Sequence, residues 1–142
     1  MAIFIDTKYR IKRNLEYDEK MKYISQELKI FDSYSQIIML SAVIGYNNGL
    51  YVPIKNNAEG ILMQFFTQRD YDIIDFIAYA HIKEQGILKD TKKYEILESY
   101  ANGGFPLLID KLGIDFDDKK QNDRISILKK LYANLLMNGF KM

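Results

Sequence analysis

The chain has no cysteine, no tryptophan, two prolines and one histidine among its 142 residues. Without cysteine there is no disulfide and no thiolate metal site, and the redox compartment is left open, with a lean to the cytoplasm. A single histidine, His81, leaves few ways to build a zinc site or a histidine-based acid–base pair. No long apolar run is present either. The longest, Ile37 to Gly45, is broken by Ser41 and is far too short to cross a bilayer. No membrane partner and no secretory leader are expected, because Met1 to Asp6 is short and charges follow at once. An excess of one charge is also missing. Twenty basic and nineteen acidic side chains give a net charge of +1, so overall charge gives no argument for nucleic acid.

What is present is enough apolar material to fold. Hydrophobic residues make up 48% and charged residues 27%, the balance of a globular domain and not of a disordered tail. The length favours a single domain, residues 1–142, with a real core. Eleven tyrosines and eight phenylalanines suit either a core boundary, with the ring buried and the hydroxyl wet, or an interface.

Periodicity and capping signals predict a mainly α domain of five to seven helices with at most a minor β element. Ile3-Phe4-Ile5 reads as an edge strand or a packed arm within residues 1–14. Leu15 to Leu28 reads as a helix whose apolar side includes Leu15, Met21, Ile24 and Leu28. Ser33 is an N-cap candidate for a helix from Tyr34 to about Tyr46, apolar almost all round and expected to be the most buried. Asn47-Asn48-Gly49 ends it, since asparagine and glycine tolerate positive φ. Ile61 to Phe66 is a strand or a short helix.

Thr67 with Asp70 forms an imperfect capping box for a helix running to about Glu84, with Ile73, Ile74, Phe76, Ile77, Tyr79 and Ala80 on its apolar face and Gly86 marking its end. Asp90 or Thr91 caps the next helix, which Asn102-Gly103-Gly104 is expected to terminate. Pro106 then opens a further short helix that closes at Gly113. After a polar loop, Asp123 caps a final helix over residues 123–142. That helix is either docked on the core or placed at a homodimer interface formed by Leu128, Leu131, Tyr132, Leu135 and Phe140.

Few motifs carry chemistry. Asp115 to Lys120 starts like a calcium loop, but Lys119 and Lys120 occupy its fifth and sixth positions and repel a cation. His81 and Glu84 share a helix face without a further histidine. Asp117-Asp118-Lys119 has the spacing of a nuclease element but lies in a polar loop, the wrong setting for shared metal binding. No catalytic residue, cofactor or metal is therefore assigned. A small nuclease or toxin using Asp117, Asp118, Lys119 or His81 stands as the third functional reading. Lys8, Arg10, Lys12 and Arg13 cluster near the N-terminus. They are a solvated edge or a set of phosphate contacts for DNA.

Two stretches together carry a resemblance. One is Met39-Leu40-Ser41-Ala42-Val43-Ile44-Gly45-Tyr46-Asn47-Asn48-Gly49 followed by Val52-Pro53-Ile54. The other is Glu98-Ser99-Tyr100-Ala101-Asn102-Gly103-Gly104 followed by Leu107-Leu108. In this order they resemble the small Dnd-system-associated proteins encoded beside bacterial DNA phosphorothioation and other anti-phage genes. Gly45, Asn47, Gly49, Tyr100, Asn102, Gly103 and Gly104 are the motif positions. The likeness spans about Phe31 to Leu112, with Ser99 in place of a second acid and Phe105-Pro106 after the glycines. It implies a defence context and a role alongside DNA-handling proteins, and brings no catalytic residues with it. The first functional reading is thus a non-enzymatic, cytoplasmic accessory subunit that binds a larger protein partner. The second is the DNA-binding module.

Overall fold

The computed structural model describes residues 4–118 and 122–138, with side chains through Ala133. Within them lie β1 (Arg10–Ile11), α1 (Asp18–Lys22), α2 (Tyr34–Asn47), β2 (Ile61–Leu62), α3 (Gln68–Ile82), α4 (Lys92–Leu112) and α5 (Arg124–Asn138). The fold is mainly α, as the periodicity predicts.

The strand falls at Arg10–Ile11 and not at Ile3-Phe4-Ile5. β1 pairs antiparallel with β2, Arg10 opposite Leu62 and Ile11 opposite Ile61. Phe4 and Ile5 are instead held by side chains of α4. The buried Lys93 ammonium donates to the Phe4 carbonyl, and the Asp6 N–H donates to the Tyr94 hydroxyl at 2.9 Å. Ile3 lies outside the described residues. The run Ile61 to Phe66 divides, two residues of strand passing into a 3₁₀ turn at Met63–Phe65.

Leu15 to Leu28 winds continuously but not uniformly. A 3₁₀ turn at Leu15–Tyr17, with the Asn14 side chain accepting from Glu16 N, leads into α1 and then a π turn at Tyr23–Glu27. The wide turn carries an extra residue and shifts the register. Leu15 therefore faces solvent, while Met21, Tyr23, Ile24 and Leu28 are buried.

Local caps fall where the sequence places them. The Ser33 side chain accepts from Gln36 N. The Thr67–Asp70 box is complete: Asp70 N donates to Thr67 Oγ1 at 3.2 Å and Thr67 N to Asp70 Oδ2 at 2.9 Å. α2 closes in a Schellman arrangement, with Leu50 N on Gly45 O at 2.8 Å, Gly49 N on Tyr46 O at 3.3 Å, and Gly49 at φ +66°. Asp123 caps α5 by accepting from Ser126 N. At the end of α3 the outcome differs. Lys83 takes the left-handed conformation, φ 63°, so the chain reverses before Gly86, which sits in a 3₁₀ turn at Gln85–Lys89.

The larger correction concerns α4. It runs unbroken from Lys92 through Asn102-Gly103-Gly104 and Pro106 to Gly113, where φ is +68°. Glycine and proline weaken a helix taken alone. This one is held by packing, since α2 lies against it in the most extensive contact of the described molecule and α3 and α5 also pack on it. α2 is buried along Ile37, Ile38, Met39, Ala42 and Ile44, yet α4 is the element that the other long helices share.

α3 buries Ile74, Ile77 and Ala78, while Phe76 and Tyr79 of its predicted apolar face are exposed. On α5, Leu131 is buried beside Ile127 and Leu128 is half-buried, whereas Tyr132 and Ile125 are exposed. The side chain of Leu135, and Phe140 altogether, lie outside the described residues. No helix among the described residues is long and apolar enough to cross a membrane.

Candidate functional site

The two motif stretches meet where α2 crosses α4. A methyl group on Gly45 would fall 2.0 Å from the Tyr100 carbonyl oxygen, and one on Gly104 would fall 1.9 Å from that of Ser41. Gly103 receives the strap that follows α2, since a methyl group there would lie 2.1 Å from Leu50 O. The glycines are thus points of backbone contact, and Asn102-Gly103-Gly104 is not a corner between helices.

The polar members of the motif hold flanking segments against this contact. Asn102 Nδ2 donates to Val52 O at 2.8 Å, and Asn102 Oδ1 accepts from Asn14 Nδ2 at 3.0 Å. Val52 N donates to Ser99 O at 3.0 Å. Glu98 is 4% exposed, and its Oε2 accepts from Lys12 N at 2.7 Å and from the Tyr9 hydroxyl at 3.0 Å. Burial pushes the Glu98 carboxyl up to about 7, against the opposing pull of the Lys12 N–H and Tyr9 hydrogen bonds and the Lys12 charge. Burial, followed by the Glu98 charge, also raises the Tyr9 phenol, which stacks on Tyr94 at a centroid distance of 4.5 Å. One helix turn, from Glu98 to Asn102, therefore ties down the arm at residues 9–14 and the strap at residues 50–54.

The opposite side of the motif is aromatic. The Tyr100 hydroxyl and His81 Nδ1 lie 2.7 Å apart, and the His81 ring stacks on Tyr51 at 4.6 Å and 13°. Tyr46 meets both Tyr100 and Phe76 edge-on. Burial, with the neighbouring Tyr46 and Tyr51, raises the Tyr100 phenol, which keeps it a neutral hydrogen-bonding group. Tyr100 is buried, but Phe76 is 64% exposed and Tyr51 38%. A band of rings thus runs from the core to the surface.

The basic cluster is split by strand alternation. Lys8, Arg10 and Lys12 are exposed, and Arg13 is buried. Arg13 pairs with Asp18, donates to the Glu59 carbonyl and lies over the Tyr34 ring at 4.6 Å. Its guanidinium is committed inside the fold and does not reach a phosphate. Arg10 stands 3.8 Å from Glu59.

The nuclease candidates are not assembled either. Asp115 Oδ1 accepts from the N–H groups of Asp117 and Asp118, turning that loop onto itself, while His81 belongs to the aromatic band. Lys119 lies outside the described residues. Among the described residues no group of three or more His, Asp or Glu could hold a metal ion.

Sequence reasoning did not single out the buried polar anchors Glu98, Tyr9 and Lys93. Lys93 is 1% exposed and donates to Asp75 at 2.8 Å and to Leu88 O at 2.9 Å. The available signal was position: Lys93 and Glu98 lie on the same turns as Tyr94, Leu97 and Ala101, where a solvated charge does not fit.

A family model described as DNA sulphur modification system-associated protein 4 matches residues 10–135. No curated protein and no solved structure matches the chain.

Proposed function

The chain belongs to the family of DNA sulphur modification system-associated protein 4, and from that premise we propose that it is a non-enzymatic accessory subunit that binds a larger protein of such a system. In this reading it serves bacterial anti-phage defence and works as one helical domain. The observation that carries the reading is the aromatic band. Phe76 is 64% exposed, and it continues through Tyr46 and Tyr100 to Tyr51 and His81. An exposed ring backed by buried rings is rigid and loses little side-chain entropy when a partner covers it. Tyrosine and phenylalanine are enriched at such contacts, and lysine and glutamate are not.

Co-expression of the tagged chain with the other subunits of the modification system tests this. One subunit should be retained through purification, and Phe76→Glu should release it with the thermal midpoint unchanged. Elution of the chain alone, as a monomer or homodimer, with every subunit present would overturn the reading. Duplex binding that weakens steeply with salt, and that is lost when Lys8, Arg10 and Lys12 are neutralised, would transfer the function to direct DNA contact.

A further inference from the structure

Where α3 passes into α4, a groove of about 580 Å³ is lined, among the described residues, by Tyr79, Gln85, Gly86, Leu88 and Lys89. The sequence produces it in three steps. Lys83 turns the chain back through a left-handed conformation. The 3₁₀ turn at Gln85–Lys89 then packs on α3 by burying Ile87, which is 7% exposed. With Ile87 directed inward, Gly86 and the half-buried Leu88 flank the groove opposite Tyr79, which is 44% exposed.

Two details define what fits there. A methyl group on Gly86 would meet no atom within 4 Å, so the space above it is open. Lys89 is the one charged side chain lining the groove among the described residues, and its exposed ammonium has no hydrogen-bond or ion-pair partner among them. The groove therefore presents an apolar tyrosine–leucine floor with a single positive charge at its edge.

We propose that this groove receives a short segment of the protein partner carrying an apolar side chain beside a carboxylate. The inference rests on the accessory-subunit reading and names the chemistry of the partner. The apolar side chain loses water against Tyr79 and Leu88, and the carboxylate pairs with Lys89 at the rim, fixing direction along the groove. Tyr79 lies three residues after Phe76 on α3, so the two are neighbours on the helix and the groove continues the aromatic band. A nucleic acid strand fits less well, because its affinity comes from several phosphate contacts and the groove offers one cation.

The test uses the co-expressed system subunits as the probe. Gly86→Phe fills the open space, Lys89→Glu reverses the charge, and Tyr79→Ser removes the floor at a half-exposed position. Each should cut the retained subunit at least tenfold with the thermal midpoint unchanged, and Lys89→Arg should retain it. Wild-type retention by Gly86→Phe and Tyr79→Ser, while Phe76→Glu releases the subunit, overturns the groove and leaves the accessory-subunit reading standing. Loss with Lys89→Glu alone marks a general surface-charge effect and also overturns the groove. If the wild-type chain retains no subunit, both fall.

Discussion

Gly104 of α4 lies so close to Gly45 of α2 that a methyl group on Gly104 would fall 2.6 Å from the Gly45 backbone nitrogen. At this level the two central helices touch backbone to backbone, and no side chain fits between them. The same Gly104 methyl would also collide with the Ser41 carbonyl oxygen, and neither partner is the free end of a flexible side chain.

Gly104→Ala should therefore force α2 and α4 apart and cost about 3 kcal/mol, the upper part of the usual overpacking range. Gly86→Ala, in open space, should stay within about 0.5 kcal/mol of wild type. Urea denaturation of the two variants side by side checks the contrast. Equal midpoints would mean that the helix contact relaxes freely.

The Glu98 carboxyl makes stability depend on pH in a defined direction. Its pKa rises from 4.5 to about 7 on folding, so between those values the folded state holds the proton more tightly than the unfolded chain. Stability is then greatest near pH 4.5 as far as this group is concerned, and falls as pH rises to about 7. The change is at most about 3 kcal/mol, because one pKa unit is worth about 1.4 kcal/mol. Glu98→Gln keeps an oxygen acceptor for Lys12 N and Tyr9 and should remove this slope. Denaturation midpoints of both proteins at pH 5 and pH 8 measure it, and parallel pH profiles would show that Glu98 is not the group responsible.

Lys93 and Asp75 form a pair whose ammonium is almost fully buried, with side chains 2% and 13% exposed. Removing one partner should cost more than removing both. Asp75→Ala leaves an uncompensated buried cation and should lose about 3–5 kcal/mol, whereas Lys93→Met with Asp75→Leu should recover much of that loss. A double-mutant cycle by thermal and chemical unfolding gives the coupling directly. Additive single losses would show that the Phe4 and Leu88 carbonyls alone satisfy Lys93.

Asn102→Ala deletes the donor to Val52 O and the acceptor for Asn14. Leaving these partners without their bonds should cost about 1–3 kcal/mol. The strap at residues 50–54 should then become the first site of limited proteolysis and lose amide protection at Val52 before the helices do. Unchanged protection at Val52 would assign its anchoring to Ser99 O alone.

Much of the architecture was legible because caps are local. Ser33, the Thr67–Asp70 box, Gly49, Gly113 and Asp123 act through hydrogen bonds or φ preferences within a few residues, so sequence spacing suffices to place them. The Dnd likeness was legible in the same stretches that the structure brings into contact. The break predicted at Asn102-Gly103-Gly104 followed the same local logic, and there it misled. Glycine and proline weaken a helix in isolation, yet here the glycines admit α2 to within backbone contact and the packing gained keeps α4 whole. Arg13 shows the same limit from another side. In the sequence it is one of four cations, but alternation along the arm turns it toward Asp18, Glu59 and Tyr34 while its neighbours face water.

The sequence by itself determined the helical class, the cap positions and the family, because each rests on residue order over short distances. The tertiary structure alone decided which side chains are anchors and which are surface. Glu98 becomes a buried latch for residues 9–12 only because α4 meets an arm some 86 residues distant. Phe76 and Tyr79 remain exposed only because α3 spends Ile74, Ile77 and Ala78 on the core. Burial depends on which elements come to lie against one another, and that is a property of the packed whole that the periodicity of a single helix does not contain.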